Sequence, residues 1–179
     1  MNRVDGKIAV VTGGTQGLGK AIAKKFAELG ARGIIICGRN KENGRKVINE
    51  ITSETTIEAE YVEADLAKVQ DCQLVIGQAD KVFGKIDILV NAAGVTDRGN
   101  LLNTSEELFD KTFAVNTKAP FFLMQDTVKI MIREQIEGSI INIGSIAALT
   151  GQPFISPYCA SKGALSTLTR NSAYALLRN

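Results

Sequence analysis

The sequence Thr12-Gly13-Gly14-Thr15-Gln16-Gly17-Leu18-Gly19 decides the fold, because it joins an apolar run to an amphipathic one. The run before it, residues 8–11, is typical of a buried strand. The stretch after it has helical spacing on one face, at Leu18, Ile22, Phe26 and Leu29. Glycines permit a tight turn and a close backbone approach to a phosphate, which the N–H groups of the next helix can bind. The spacing differs from G-x-G-x-x-G, and no Gly-Lys-Ser/Thr follows, so a P-loop is not indicated.

Four further runs are predicted to be strands, at 33–37, 57–62, 86–90 and 139–143. The runs at 8–11, 33–37 and 139–143 are continuously apolar rather than alternating. Such runs favour strands that are covered on both faces, as in a parallel sheet.

Amphipathic stretches separate the strands. One is predicted from the spacing of Val69, Cys72, Ile76, Ala79 and Phe83, and others span about 117–133 and 157–177, with Pro157 in a first turn. Gly30 and Gly84 are typical of helix C-termini, and Thr104 or Ser105 can cap a further helix. The order β-α-β-α-β-α-β-α-α-β-α predicts a doubly wound α/β sheet with helices on both faces, in a single domain over 1–179.

Composition excludes several classes of function. The 179 residues carry 21 basic and 19 acidic side chains, a formal charge of 21 − 19 = +2, which argues against a nucleic-acid surface. With no histidine, an acid–base catalyst must be Asp, Glu, Lys, Cys or Tyr. Cys37, Cys72 and Cys159 lie far apart, so no zinc site or disulfide framework is indicated. No apolar run suits a bilayer or a signal peptide, and we expect a cytoplasmic protein without membrane partners.

The end of the second strand indicates which cofactor is preferred. An acid is expected there to bind the ribose hydroxyls of NAD, but the sequence is Cys37-Gly38-Arg39-Asn40. The guanidinium of Arg39 could pair with a 2′-phosphate, which favours NADP(H), with NAD(H) possible. The alternative is that Arg39 is a solvated surface charge, and Gln16 adds no second basic group.

These motifs together resemble the short-chain dehydrogenase/reductase family over essentially the whole chain. The glycine turn from Thr12 to Gly19 matches its cofactor motif, and Asn91-Ala92-Ala93-Gly94 is similar to its Asn-Asn/Ala-Ala-Gly motif. Asp65 and the adjacent Leu66 resemble its adenine-contacting segment. The resemblance implies cofactor-binding roles for Thr12, Gly13, Thr15, Gln16, Gly17, Leu18, Gly19, Arg39, Asp65, Leu66, Asn91, Ala92, Gly94, Tyr158 and Lys162.

The same resemblance implies a catalytic set of Asn116, Ser145, Tyr158 and Lys162. Tyr158 and Lys162 are four apart on a predicted helix and therefore share a face. Tyrosine is ordinarily too weak an acid to serve as a base at neutral pH, but a neighbouring ammonium favours its phenolate. Ser145 could donate to a carbonyl oxygen, and Asn116 could hold a water that relays protons to Lys162.

Structural alternatives stay open for each of these residues. The Tyr-Lys pair could be a surface pair, Ser145 could be a helix-capping or loop serine, and Asn116 could satisfy backbone groups. The expected activity is hydride transfer between NADP(H) and a secondary alcohol or ketone. A non-catalytic NAD(P)-binding module or an inactive fragment is the alternative.

Two expectations concern the protein beyond its site. The chain ends at Asn179, after the Tyr-x-x-x-Lys helix, whereas the family continues into further strands and a substrate-covering segment. We therefore expect a fold without the last strands, and the substrate cannot be identified. The family also implies a homodimer or homotetramer, with helices around 105–133 and 157–177 pairing across a two-fold axis.

Overall fold

A five-stranded parallel sheet forms the centre of the protein, in a computed structural model that describes residues 4–177. Residues 1–3 and 178–179 of the predicted domain lie outside the described residues. The strands are Ile8–Thr12 (β1), Gly33–Gly38 (β2), Glu58–Glu63 (β3), Ile88–Asn91 (β4) and Ser139–Asn142 (β5). They are arranged in the order β3-β2-β1-β4-β5. The predicted doubly wound α/β fold is confirmed.

Helices connect the strands. They are Gly17–Glu28 (α1), Lys41–Glu54 (α2), Val69–Phe83 (α3), Glu106–Phe113 (α4), Ala119–Arg133 (α5), Ala147–Thr150 (α6) and Ser156–Ala175 (α7). A π-helical segment, Ala114–Lys118, joins α4 to α5 without a break. The predicted helix at 117–133 is therefore the second part of a longer helical stretch, and the single turn of α6 was not predicted.

Each face of the sheet has its own apolar core. One core includes Val10, Ile35 and Leu89 with buried residues of α3 and α5. The other includes Val11, Ile36 and Val90 with buried residues of α1 and α2. β1 and β2 are buried along their apolar runs, as their continuous sequences predict.

The predicted apolar face of α1 is partly wrong. Leu18 is 56% exposed, whereas the buried positions of this helix are Gly19, Ala23 and Ala27. Small residues at these positions let the helix axis approach the sheet closely. Ile22 and Phe26 pack at the margin of that contact.

The expectation that the fifth strand is covered on both faces is also wrong. Ile141 of β5 is paired with Val90 of β4, so it belongs to the face that α1 and α2 cover elsewhere. It is 43% exposed, because within residues 4–177 neither helix extends across β5. An apolar run alone does not distinguish a central strand from one at the margin of the sheet.

Candidate functional site

A groove of about 410 Å³ lies at the carboxyl ends of the strands. Ligands of open α/β sheets bind at this edge, where the strand order reverses between β1 and β4. The walls come from the β1–α1 turn and from the segments that follow β2, β3 and β4. Of the predicted cofactor residues, those that line it are Gly13, Thr15, Gln16, Gly17, Leu18, Gly19, Arg39, Asp65, Leu66, Ala92 and Gly94.

Two glycines of the β1–α1 turn are required by close backbone contacts. A Cβ atom on Gly13 would lie 2.9 Å from the Cα atom of Ala93, and its φ of +66° is left-handed. A Cβ atom on Gly19 would overlap the carbonyl group of Gly13. The preceding Gln16 makes no side-chain cap, so N–H groups at the start of α1 remain available to an anion.

Arg39 lies on this groove with an exposed guanidinium. Its backbone neighbours are held firmly, because Tyr61 Oη donates to the Gly38 carbonyl at 2.7 Å and Asn40 Oδ1 accepts from Asn43 N at 2.8 Å. Arg39 forms no ion pair with any acidic side chain in residues 4–177. The guanidinium can therefore bind a ligand without first breaking an internal pair.

The turn after β3 holds Asp65 and Leu66 along the groove. Asp65 N donates to Asp71 Oδ2 at 2.7 Å, and Asp65 Oδ1 accepts from Ala67 N at 3.2 Å. The carboxylates of Asp71 and Asp65 thus both accept backbone N–H groups and hold the conformation of this turn. The remaining acceptor capacity of Asp65 is free to face a ligand.

Thr12 and Asn91, by contrast, lie beneath the groove. Thr12 Oγ1 accepts from Ala92 N at 3.1 Å and Ala93 N at 3.0 Å, and so ties β1 to the segment after β4. Asn91 Nδ2 donates to Asn142 Oδ1 at 2.8 Å, which joins the ends of β4 and β5. Both side chains are buried, so within the described residues they support the groove from behind.

Asn116 lies in the π-helical segment and is completely buried. Its Oδ1 accepts from Val95 N at 2.8 Å, and its Nδ2 donates to Val95 O at 2.8 Å and to Ser161 Oγ at 3.0 Å. The amide thus satisfies backbone groups, as one interpretation of the sequence held, but those groups are 21 residues away. π-Helical turns inside helices are frequent at functional sites.

Lys162, on α7, extends toward Gly94 and Asn116. Its Nζ donates to the carbonyl oxygen of Ile143 at 2.7 Å, and burial lowers the pKa of the ammonium below its ordinary value. A Cβ atom on Gly94 would lie 3.7 Å from Lys162 Nζ and 3.5 Å from Asn116 Oδ1. Gly94, Asn116 and Lys162 therefore meet at one point beside the groove.

Tyr158 and Lys162 share one face of α7, as their spacing predicts. Lys162 Nζ lies 6.0 Å from the centre of the half-buried Tyr158 ring. Ser145 follows β5, and its Oγ accepts from Ala147 N at 3.2 Å at the start of α6. This is a local turn contact, since the N-cap of α6 is Ile146, and within residues 4–177 the hydroxyl proton of Ser145 has no acceptor and can be donated to a ligand.

Sequence reasoning missed several contributors, and three of them carry a specific contact or a charge. Val95 supplies both backbone partners of Asn116, Ser161 links Asn116 to α7, and Lys111 of α4 lines the groove. Ser161 and Val95 each adjoin a motif residue, Lys162 and Gly94, which is a weak signal in the sequence. Lys111 has none.

The lining of this groove fits a dinucleotide. Glycines whose Cβ atoms would collide with backbone leave room for a phosphate, the unpaired guanidinium of Arg39 lines the groove, and Gly94 of its lining adjoins Lys162. Within residues 4–177 no cluster of three Cys, Asp or Glu side chains could hold a metal ion. In the same range, no helix combines the length and apolar character needed to cross a bilayer.

Comparison with known proteins agrees with this geometry. Residues 7–179 match the family model described as short chain dehydrogenase. An uncharacterized oxidoreductase of Thermotoga maritima is 41% identical over 94% of this chain and 65% of its own length. Galactitol 2-dehydrogenase of Agrobacterium fabrum is 33% identical over 99% of this chain and 67% of its own length. The chain thus spans about two thirds of these curated relatives.

A solved structure shows the same fold. The crystal structure of a metagenomic short-chain oxidoreductase in complex with NADP superposes with a TM-score of 0.90 at 36% sequence identity. The similarity covers 97% of this chain and 77% of that one.

Proposed function

The chain belongs to the short-chain dehydrogenase/reductase family, and on that premise we propose that it uses NADP(H) to interconvert a secondary alcohol and a ketone. The observation that carries the proposal is the meeting of Gly94, Asn116 and Lys162 at one end of the groove, with Tyr158 on the same helix face as Lys162. A protein that only binds the dinucleotide has no need of Ser145, Tyr158 and Lys162 together.

The chain's residues divide the work of binding. The β1–α1 turn and the start of α1 hold the diphosphate, Asp65 and Leu66 flank the adenine, and Arg39 binds the 2′-phosphate. Gly94 leaves space for the ribose next to Lys162, whose ammonium binds the ribose hydroxyls. When bound, the nicotinamide supplies or accepts the hydride.

Proton transfer falls to Tyr158. In the oxidative direction its phenolate takes the hydroxyl proton of the substrate, and in the reductive direction its phenol returns that proton to the carbonyl oxygen. The ammonium of Lys162 favours the phenolate electrostatically. Ser145 donates its free hydroxyl proton to the same substrate oxygen and so stabilises the developing negative charge.

Replacing Tyr158 by Phe tests the chemistry. Because only the hydroxyl is removed, we expect turnover of a panel of ketones with NADPH to be lost while NADPH still binds. Tyr174→Phe is the matched control, since Tyr174 is on the same helix but 80% exposed. Turnover at the parental rate in Tyr158→Phe would contradict the mechanism.

Replacing Arg39 by Ser tests the cofactor preference. A hydrogen bond to a charged group contributes about 1.5–3 kcal/mol, so NADPH affinity should fall about ten- to a hundredfold. NADH has no 2′-phosphate, and its affinity should not change. Arg45→Ser is the control, because Arg45 is an exposed residue of α2. An equal loss for both cofactors in Arg39→Ser would mean that Arg39 acts only as a general positive charge.

The proposal extends to location and assembly. The three cysteines are unpaired, which supports a reducing, cytoplasmic compartment. We also propose a homodimer or homotetramer and a small-molecule substrate, without nucleic-acid or membrane partners.

A further inference from the structure

Two hydrogen bonds from the π-helical segment converge on one buried residue of α7. Asn116 Nδ2 donates to Ser161 Oγ at 3.0 Å, and Thr117 Oγ1 donates to Ser161 O at 3.0 Å. Ser161 is completely buried and immediately precedes Lys162. Its own hydroxyl donates to Tyr158 O at 2.8 Å. One serine thus contacts the segment that carries Asn116 and the helical turn that carries Tyr158 and Lys162.

The hydrogen-bond capacity of these groups makes the arrangement specific. Both N–H bonds of the Asn116 amide are used, one by Val95 O and one by Ser161 Oγ. The single O–H of Ser161 is also used, so the hydroxyl must accept from Asn116 and donate to Tyr158 O. The acceptor capacity left on Asn116 is the second lone pair of Oδ1. Of the atoms around Gly94, Oδ1 is the one nearest to the position that a Cβ atom would take.

We propose that Ser161 is a positioning residue that fixes the spacing between Asn116 and the Tyr158–Lys162 turn, with Thr117 holding its backbone. The inference rests on the proposed function, since it assigns Ser161 a role in the reaction of that site. A buried alanine there would leave an Asn116 N–H without an acceptor and would free the helical turn to shift. Displacing catalytic groups by about 1 Å can lower a rate about a hundredfold.

The competing role is simple docking of α7 onto the domain, and the structure supplies a matched control for it. Thr169, two turns further along α7, accepts from Asn142 Nδ2 at 2.9 Å through its Oγ1. Thr169→Val removes a docking hydrogen bond of similar length that does not reach Asn116, Tyr158 or Lys162. If Ser161 only docks the helix, Ser161→Ala and Thr169→Val should have the same consequences.

The kinetic test compares the parent chain with Ser161→Ala, Ser161→Thr, Thr117→Val and Thr169→Val. We expect Ser161→Ala to lower kcat about 10- to 100-fold and to shift its pH profile. Ser161→Thr keeps the hydroxyl and should restore the parental profile, whereas Thr117→Val should show part of the defect. Thr169→Val should lower Tm and leave the pH profile of kcat unchanged. A parental kcat and pH profile in Ser161→Ala would overturn the proposal.

A second measurement does not depend on turnover. In protein with 13C-labelled lysine, the signal of Lys162 is assigned by its loss in Lys162→Met, and its titration midpoint is followed by NMR. Burial lowers the pKa of Lys162, so a loosened turn that admits water should raise the midpoint in Ser161→Ala and not in Thr169→Val. An unchanged midpoint in soluble, folded Ser161→Ala and Thr117→Val would overturn the positioning role. Absence of turnover in the parent chain would instead count against the proposed function.

Discussion

Asp87 is a buried carboxylate at the end of the sheet opposite the groove. It is 3% exposed, and its Oδ2 accepts from Ile8 N at 2.9 Å. Lys7 Nζ lies 3.1 Å from Oδ1, and Lys85 Nζ lies 3.0 Å from Oδ2. Burial alone would raise the pKa of this carboxyl, but the Ile8 N–H and the two ammonium groups hold the pKa below its usual value.

This lowered pKa predicts a dependence of stability on pH. The folded state favours the ionised form, so the stabilisation is present above the unfolded pKa of about 3.9 and is lost as pH falls through the folded value. Asp87→Asn should lower the free energy of unfolding by about 1–3 kcal/mol at neutral pH. Urea unfolding should show that the difference shrinks below about pH 4.

The exposed Asp97 provides the control for that measurement. Asp97→Asn should leave the free energy of unfolding nearly unchanged at both pH values. A deficit in Asp87→Asn that stays the same across the range would show that the amide disturbs packing and that the ion pairs contribute little.

Among single residues, the sequence could predict chemistry but not contacts. Tyr158 and Lys162 were predictable as neighbours because a helix places residues four apart on one face. The contact between Asn116 and Val95 could not be predicted, because Val95 is distant in sequence and contributes only backbone atoms. Asn91, predicted from its motif to bind the cofactor, has a buried amide whose Nδ2 donates to Asn142 Oδ1, a contact that the motif does not indicate.

At the scale of elements, α1 depends on its close contact with the turn before it. A methyl group on Gly19 would overlap the carbonyl group of Gly13, whereas one on Gly77, within α3, would meet no atom within 4 Å. The same substitution should therefore have opposite effects at the two positions.

Gly19→Ala should lower the free energy of unfolding by about 1–3 kcal/mol and weaken NADPH binding, because the turn must move to admit the methyl group. Gly77→Ala should raise the free energy of unfolding by about 1 kcal/mol, because glycine is a poorer helix former than alanine. It should leave NADPH binding unchanged. Chemical unfolding and an NADPH titration of both variants check the pair. A stabilised Gly19→Ala that still binds NADPH would refute the close contact.

The π-helical segment shows why an element can escape sequence analysis. The helices around it follow a hydrophobic period of about 3.6 residues and the central strands are continuous apolar runs, and the sequence reveals both patterns directly. A π turn inserts one residue into such a period and has no composition of its own. Here it accommodates Asn116 and Thr117, whose partners lie on α7 and after β4, so tertiary contacts determine it.

At the scale of the whole molecule, the alternation of strands and helices was enough to predict the parallel sheet and its ligand-binding edge. The alternation did not indicate which strand has a face that no helix covers. The run at 139–143 carries three isoleucines, and only the strand order reveals that Ile141 is uncovered in the described part of the chain.

A concave surface of about 560 Å³ lies where α4, α5 and α7 meet, and we propose it as the interface of the predicted assembly. Phe113, Phe121, Phe122 and Leu168 contribute to it, so the two helical regions expected to pair across a two-fold axis share one apolar surface. Phe121 is 43% exposed and Phe109 of α4 is 44% exposed. Exposed aromatic side chains in such a cluster favour an interface between identical copies.

Phe121→Glu is therefore expected to convert a dimer into a monomer, or a tetramer into dimers. In a two-fold interface each substitution is present twice, and the carboxylates would be buried without partners. Sedimentation velocity measures the change directly. Leu74→Glu on α3 is the control, because Leu74 is 53% exposed but lies outside both predicted interface regions. A monomeric parent would refute the assembly itself, whereas an oligomer of unchanged size in Phe121→Glu would place its interface on another surface.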